Sequence, residues 1–348
     1  MEQRTYFSVR EVTEMIRNNR VLILTALDDV LAQLPKGSWI GGIANRPEAQ
    51  YNEDGELQEI RVYELTKWVR SVHINSYQSF NFELIEKDAF TNGFSIICIP
   101  AFSSIHLSYS IYSATTPTLR ETMVGWLAGC ECETQAMRES VVVDGASGDF
   151  YPERAVVMHC ALPDDCKAWY DIINPYTPNL QKPHFKFHNA SFIVSDCSVL
   201  STDEESEVIQ EGHPDNTVDT RVSFKQYATS HNIDLDAETT LITKLHGEYI
   251  TSSVLVSAIG RNLILSNPVI PGLAYYIGQR SQQEEGLFSA NAQSVIFSVD
   301  CLGSSTISPN SLPAYGGVAR FTYNRVVIRL HVTRSLSTLF PSDMPQSS

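Results

Sequence analysis

NGFSIICIPAFSSIHL, residues 92–107, decides how this chain is read. Phe94 to Pro100 is an unbroken apolar run of strand length, which fits a strand covered on both faces. Directly after it, Ser103 or Ser104 is the residue type that caps a helix start, and the text predicts a helix through Tyr112. A doubly covered strand feeding a helix belongs to a layered fold that mixes helix and sheet.

Upstream, Ser8 and Glu11 have capping-box spacing, and Val9, Val12, Met15 and Ile16 share one helical face. Val21 to Leu24 is a short apolar strand. Thr25 is placed to cap a second helix with Leu27, Val30, Leu31 and Leu34 inside, ended by Pro35 and Gly37. Gly37 to Ala44 reads as a strand running into a glycine turn, and Gln58 to Leu65 alternates as a strand should. Downstream, Val124 to Ala128 is a second buried strand. Glu139 to Val143, Ala155 to Leu162 and Ala168 to Asn174 follow as strands separated by Asp-Gly, Pro-Glu and Pro-Asp-Asp turns.

Residues 178–183 are polar and carry prolines, so they read as a linker. Beyond them come a strand at Ser191 to Leu200, a helix at Val222 to His231, and long β runs from Thr240 to Val332. The expected fold is α+β, with two mixed-sheet halves, 1–180 and 190–335, and a cleft at their junction. Residues 336–348, within a Ser- and Pro-bearing stretch, form a tail. The second half carries an insertion at 201–221. Within it, Asp203, Glu204, Glu205, Glu207, Glu211, Asp215 and Asp219 are accompanied by no Lys or Arg. A solvated loop is the expected form, since the Asp-x-Asp-x-Asp-Gly pattern of a calcium loop is absent.

Composition narrows the partners. The 348 residues include 40 acids and 25 bases, a net charge of −15, which argues against a nucleic-acid binder and against docking on anionic lipid. No apolar run approaches the length of a membrane helix, and MEQRTYFSVREVTEMIRNNR is too charged for a secretory signal. Seven cysteines at irregular spacing do not suggest a disulfide framework, and Cys98 and Cys160 sit inside apolar runs, so the expected setting is cytoplasmic. Cys130-Glu131-Cys132 lacks the second pair a zinc site needs, and no metal site is expected.

Two short stretches echo one another. Trp39-Ile-Gly41-Gly42-Ile43-Ala44 and Tyr315-Gly316-Gly317-Val318-Ala319 share an aromatic residue, Gly-Gly, a branched aliphatic and Ala. Glycine steps leave backbone amides uncovered, so two such turns facing one cleft would cradle a ligand. Arg46 follows the first and Arg320 the second, and either guanidinium could clamp a carboxylate. Trp39 and Trp126 lie on expected buried strands nearby. The candidate ligand-binding set is therefore Trp39, Gly41, Gly42, Asn45, Arg46, Trp126, Gly316, Gly317 and Arg320.

LPKGSWIGG (Leu34 to Gly42), the opening stretch, VGWLAG (Val124 to Gly129), RAVVMHCALPD (Arg154 to Asp164), DIIN (Asp171 to Asn174) and YATSHNID (Tyr227 to Asp234) run in the order seen in an uncharacterised bacterial group. The chain resembles that group over about residues 8 to 335, and the group is related to FIST sensory domains, a link carried by the two-half layout and the glycine turns. The resemblance implies an intracellular small-molecule sensor with a pocket between N- and C-terminal FIST-like lobes, coupled to a signalling partner. Relatives follow the first Gly-Gly with Thr-Ile-Pro-Tyr-Phe, where this chain has Ile43-Ala-Asn-Arg-Pro47. They often carry Gly-Glu late, where Gly316-Gly317 stands, and a Cys-Asn-Cys-like stretch in place of Ser298-Val-Asp-Cys301. These departures suggest a different ligand or a repurposed site.

Catalytic signals are sparse. No G-x-S-x-G elbow exists, and Gly145-Ala-Ser-Gly148 lacks a P-loop lysine. Cys301 ends an apolar strand and is a candidate nucleophile, if a histidine and an electropositive setting are supplied. His106 is the other candidate. A lone His106, His159 or His331 could also ligate haem, although a hydrogen-bonded histidine is the plainer reading of each. His184 and His188 lie in an extended segment, roughly 13 Å apart, too far to share one ion. The expected function is thus small-molecule binding between two lobes, with a homodimer or a signalling protein as partner. The alternative is an enzyme of a specialised pathway on the same scaffold, using Cys301 or His106.

Overall fold

A computed structural model describes residues 5–44, 50–51, 55–116, 122–129, 139–200, 221–233, 235, 239–255, 262–281, 294–302 and 311–334. The chain mixes α and β, with 50% strand against 15% helix, so sheets build the molecule and helices cover them.

The opening stretch folds as read. Gly93–Pro100 is a strand, Ser104–Thr115 a helix, and Ser103 caps it by accepting the His106 amide at 3.1 Å. Phe94, Ile96 and Cys98 face one core, while Ile97 and Ile99 face another that contains Phe82, Ile85, Ile105 and Tyr109. Strand alternation produces this division, because successive side chains leave on opposite faces. The first helix, Val9–Arg17, starts on the expected capping box. Ser8 accepts the Glu11 amide, and Glu11 accepts the Ser8 amide at 2.9 Å.

Three sheets surround the larger core. The first runs, by neighbour, Tyr6–Phe7, Ile60–Glu64, Leu22–Ala26, Trp39–Ile43, Val142–Asp144 and Asp149–Tyr151. The second runs Thr322–Tyr323, Gly316–Val318, Met123–Ala128, Gly93–Pro100, Ala155–Ala161 and Ser71–Tyr77. The third contains Cys166–Ile173, Val327–Arg334, Val295–Asp300 and Leu312–Pro313. A nine-stranded sheet, including Glu248–Leu255 and Leu263–Val269, has its own core around Phe185, Phe224 and Leu265. Strands from beyond residue 190 finish the second sheet, and Cys166–Ile173 pairs along its whole length with Val327–Arg334. The larger core is therefore shared across the expected boundary at 180.

Two local expectations are corrected. Thr25 does not cap a helix. It lies in the strand Leu22–Ala26, which pairs in parallel with Trp39–Ile43, and only the single turn Asp28–Leu31 follows. Neither Gly-Gly step is a turn. Gly41 and Gly42 sit between two neighbouring strands, and Gly316 and Gly317 pair with Leu127 and Trp126. Their value is close approach. A Cβ on Gly42 would stand 2.8 Å from Cys98 Sγ and 3.1 Å from Trp126 Nε1, and one on Gly317 would meet Ile328 at 2.5 Å.

Candidate functional site

Helix Ser104–Thr115 brings a polar seam to the elements that come late in the chain. Ser110 Oγ donates to the His106 carbonyl at 3.0 Å and shares a 2.9 Å hydrogen bond with Thr322 Oγ1. Tyr109 donates to the Ala319 carbonyl at 3.0 Å. Asn267, in Leu263–Val269, donates through Nδ2 to the carbonyls of Thr251 at 2.8 Å and Thr322 at 3.3 Å. Its backbone amide donates to Ser252 Oγ at 3.0 Å, and that hydroxyl donates back to its carbonyl at 2.8 Å.

His106 lies fully buried at this seam, its ring 4.8 Å from Phe192 of the nine-stranded sheet. Nδ1 accepts the Phe102 amide at 3.3 Å, which places the ring proton on Nε2. Burial pulls the imidazole down to about 3, against an opposing pull from Asn267, so the ring is neutral at physiological pH. Asn267 is the group that bonds the ring, too loosely to make an ordinary hydrogen bond at Nε2 or at Asn267 Oδ1, and Thr243 Oγ1 has no hydrogen-bond partner among the described residues. Buried polar atoms are nearly always well paired, so a loosely bonded pair and a hydroxyl without a partner around one seam mark it out. Ser110, Ser113, Thr243, Ser252, Asn267 and Thr322 line a crevice there of about 20 Å³, room for a water-sized group.

The residues singled out in the sequence fall elsewhere for the most part. Trp39 is buried against the first helix, with Nε1 donating to the Pro35 carbonyl at 2.9 Å, and Gly41 accommodates its ring. Gly42 and Gly317 do converge, on opposite sides of one residue: Trp126 packs against the first and is the register partner of the second. That meeting point is filled by side chains. Gly316 is packed by Leu127, and Arg320 lies over the Phe321 ring, which borders the crevice. Asn45 and Arg46 lie outside the described residues, as do the acidic insertion, Cys130, Cys132 and residues 335–348.

Cys301 is buried rather than poised at a cleft mouth. Its thiol donates to the Val326 carbonyl at 3.0 Å, and burial pushes it up to about 12, so it carries no thiolate at neutral pH. Of the histidines weighed for haem, His159 and His331 use both ring nitrogens in hydrogen bonds. His106 has one nitrogen that Asn267 bonds only loosely, beside a crevice far smaller than a porphyrin. His184 stacks on Tyr276, and His188 shares a hydrogen bond with Ser198.

Two constellations escaped sequence reasoning. Ser95, His159, Tyr77 and Asp88 form one hydrogen-bonded chain, and Ser294, His331, Asp171 and Arg329 form another. Each histidine was visible as a letter. Its partners were not, because antiparallel pairing across long sequence gaps places them.

Among the described residues no helix is long and apolar enough to cross a membrane, and no group of three or more acidic, Cys or His residues could hold a metal ion. No curated protein and no solved structure matches the chain. Residues 7–309 match the model of a family of unknown function, DUF6976, and the chain belongs to that family.

Proposed function

We propose that this chain is a small-molecule-binding protein of FIST-like, two-lobed design, with its ligand held where the lobes meet beneath helix Ser104–Thr115. The observation that supports it is the seam itself: a buried His106 that Asn267 bonds only loosely, beside a Thr243 hydroxyl without a partner among the described residues. The elements that carry them, Ser104–Thr115, Thr240–Leu245 and Leu263–Val269, come from either side of the expected boundary at 180. Nothing charged among the described residues lines the crevice, so the ligand is a small, neutral, polar molecule offering both a donor and an acceptor. Its entry requires the helix to move outward, and that motion is the signal passed to a second copy or to a signalling protein. The enzyme alternative built on Cys301 or His106 has less support, because the Cys301 thiol is held protonated and the His106 ring is held neutral.

The test is native mass spectrometry for a retained ligand, followed by a thermal-shift screen of neutral amides, polyols and amino acids. A true ligand at about 100 times its dissociation constant adds about 2.7 kcal/mol of stability. Ser113→Leu, which fills the crevice, should abolish the shift while the protein stays folded. A screen without any stabilising compound, or a shift that survives Ser113→Leu, removes the reading.

A further inference from the structure

The outer face of the third sheet carries a second polar constellation, remote in chemistry from the seam. Cys166–Ile173 and Val327–Arg334 run antiparallel, with Trp169 opposite His331 and Asp171 opposite Arg329. Alternation sends Ala168, Tyr170 and Ile172 to the large core together with Leu330 and Val332, leaving Trp169, Asp171, Arg329 and His331 on the other face. There the His331 ring is fully buried under the Trp169 indole, stacked at 3.8 Å and 3°, while Trp169 itself is 37% exposed.

The hydrogen bonds run in one direction. Arg329 grips Asp171 through two nitrogens, and His331 Nε2 donates to Asp171 Oδ1 at 2.9 Å. A carboxylate only accepts, so the His331 ring proton is on Nε2 and the Nδ1 lone pair is free to receive. Ser294 Oγ lies 2.8 Å from that lone pair. Ser294 stands just before Val295–Asp300, where Val295 pairs with His331 and the register then slips before Phe297. Bulges of this kind re-aim a side chain, and Ser294 is left partly open to solvent. Asp171 sits below the ordinary carboxylate range: burial raises it, but the hydrogen bonds from Arg329 and His331 outweigh burial.

We propose that Ser294, His331 and Asp171 form a serine nucleophile relay that hydrolyses small carboxylic esters, with the exposed face of Trp169 receiving a flat apolar acyl group. Ser294 Oγ attacks the ester carbonyl carbon and its proton passes to His331 Nδ1, while the Nε2–H bond to Asp171 holds the imidazolium. The tetrahedral adduct collapses, the carbon–oxygen bond to the alcohol breaks, and the alcohol leaves with the His331 proton. Water then attacks the acyl-Ser294 carbonyl and gives its proton to His331. The acid departs as that proton returns to Ser294 Oγ. The sum is ester plus water to acid plus alcohol, with no change of oxidation state. Arg329 takes part of the Asp171 charge, which weakens the pull on the imidazolium and favours esters over amides.

An alkyl fluorophosphonate probes this directly, because an activated serine oxygen displaces fluoride from phosphorus. The full chain is treated with the probe, and its peptides are mapped by mass spectrometry. The expected result is one adduct on Ser294, absent in Ser294→Ala. His331→Gln should slow its formation at least about a hundredfold, the usual worth of a general base. Asp171→Asn, close to isosteric, should slow it at least about tenfold and serves if His331→Gln does not fold. An unmodified Ser294, or a labelling rate indifferent to these substitutions, overturns the proposal.

Discussion

Two histidines in this chain stand in the middle of a hydrogen-bonded run from a serine to a carboxylate, and the runs differ in where they end. In the second sheet, Tyr77 donates to Asp88 at 2.8 Å, so His159 Nε2 donates to Tyr77 at 2.8 Å and Ser95 donates to Nδ1 at 2.7 Å. Ser95 and His159 are both fully buried, and only Asp88 approaches solvent. In the third sheet the same tautomer and the same direction recur, but Ser294 is partly exposed and Asp171 is 30% exposed. The chemistry matches and the access does not. A polar run whose hydroxyl is sealed serves packing, while one whose hydroxyl meets water can meet a substrate.

The largest expected effect lies in the sealed run. His159→Ala strands Tyr77 and Ser95 without their partner and opens a cavity, so urea unfolding should show a loss of about 3 kcal/mol. The distinction between the runs lies at the serines: Ser95→Ala, whose hydroxyl is sealed, should cost more than Ser294→Ala, and equal losses would break the distinction between a structural and an accessible run.

Asp171→Asn comes next. It leaves the Arg329 guanidinium without its ionic partner and should cost about 1 kcal/mol, with the pH profile giving the sharper reading. Asp171 is lower in the folded protein than in the unfolded chain. Its contribution is therefore present above the ordinary aspartate range and is lost as pH falls from that range through the lowered folded value. Stability measured from pH 7 to pH 3 should fall less steeply in Asp171→Asn. An unchanged acid limb would show that the Arg329 and His331 contacts do not hold the carboxylate.

The smallest effect is expected for Ser294→Ala, within about 0.5 kcal/mol of the parent chain by the same unfolding measurement. A large loss there would make Ser294 a structural residue like Ser95.

The sequence made local features legible and hid distant ones. Gly93–Pro100 and the Ser103 cap can be read because apolar runs and caps act over a few residues. Thr25 misleads because a threonine suits both a helix cap and a strand, and its pairing with Gly42 decides the matter. Gly41-Gly42 misleads for a related reason. Glycine serves turns and close approaches alike, and only the distant Trp126 and Cys98 show which applies here. At the seam, His106 was nameable, but Asn267 faces it only once the nine-stranded sheet has folded against the helix. Ser294, His331 and Asp171 belong to three strands or strand ends, and their alignment depends on a register slip that composition does not announce.

The strand Gly316–Val318 closes the Met123–Ala128 edge of the second sheet, nearly two hundred residues after that edge is made. During synthesis at about 5–20 residues per second, the edge stays unpaired for about ten to forty seconds. An open edge of that kind invites pairing between nascent chains. Production of this protein should therefore depend on chaperone supply and on slow, cool expression, and truncations that lack Gly316–Val318 should collect in inclusion bodies.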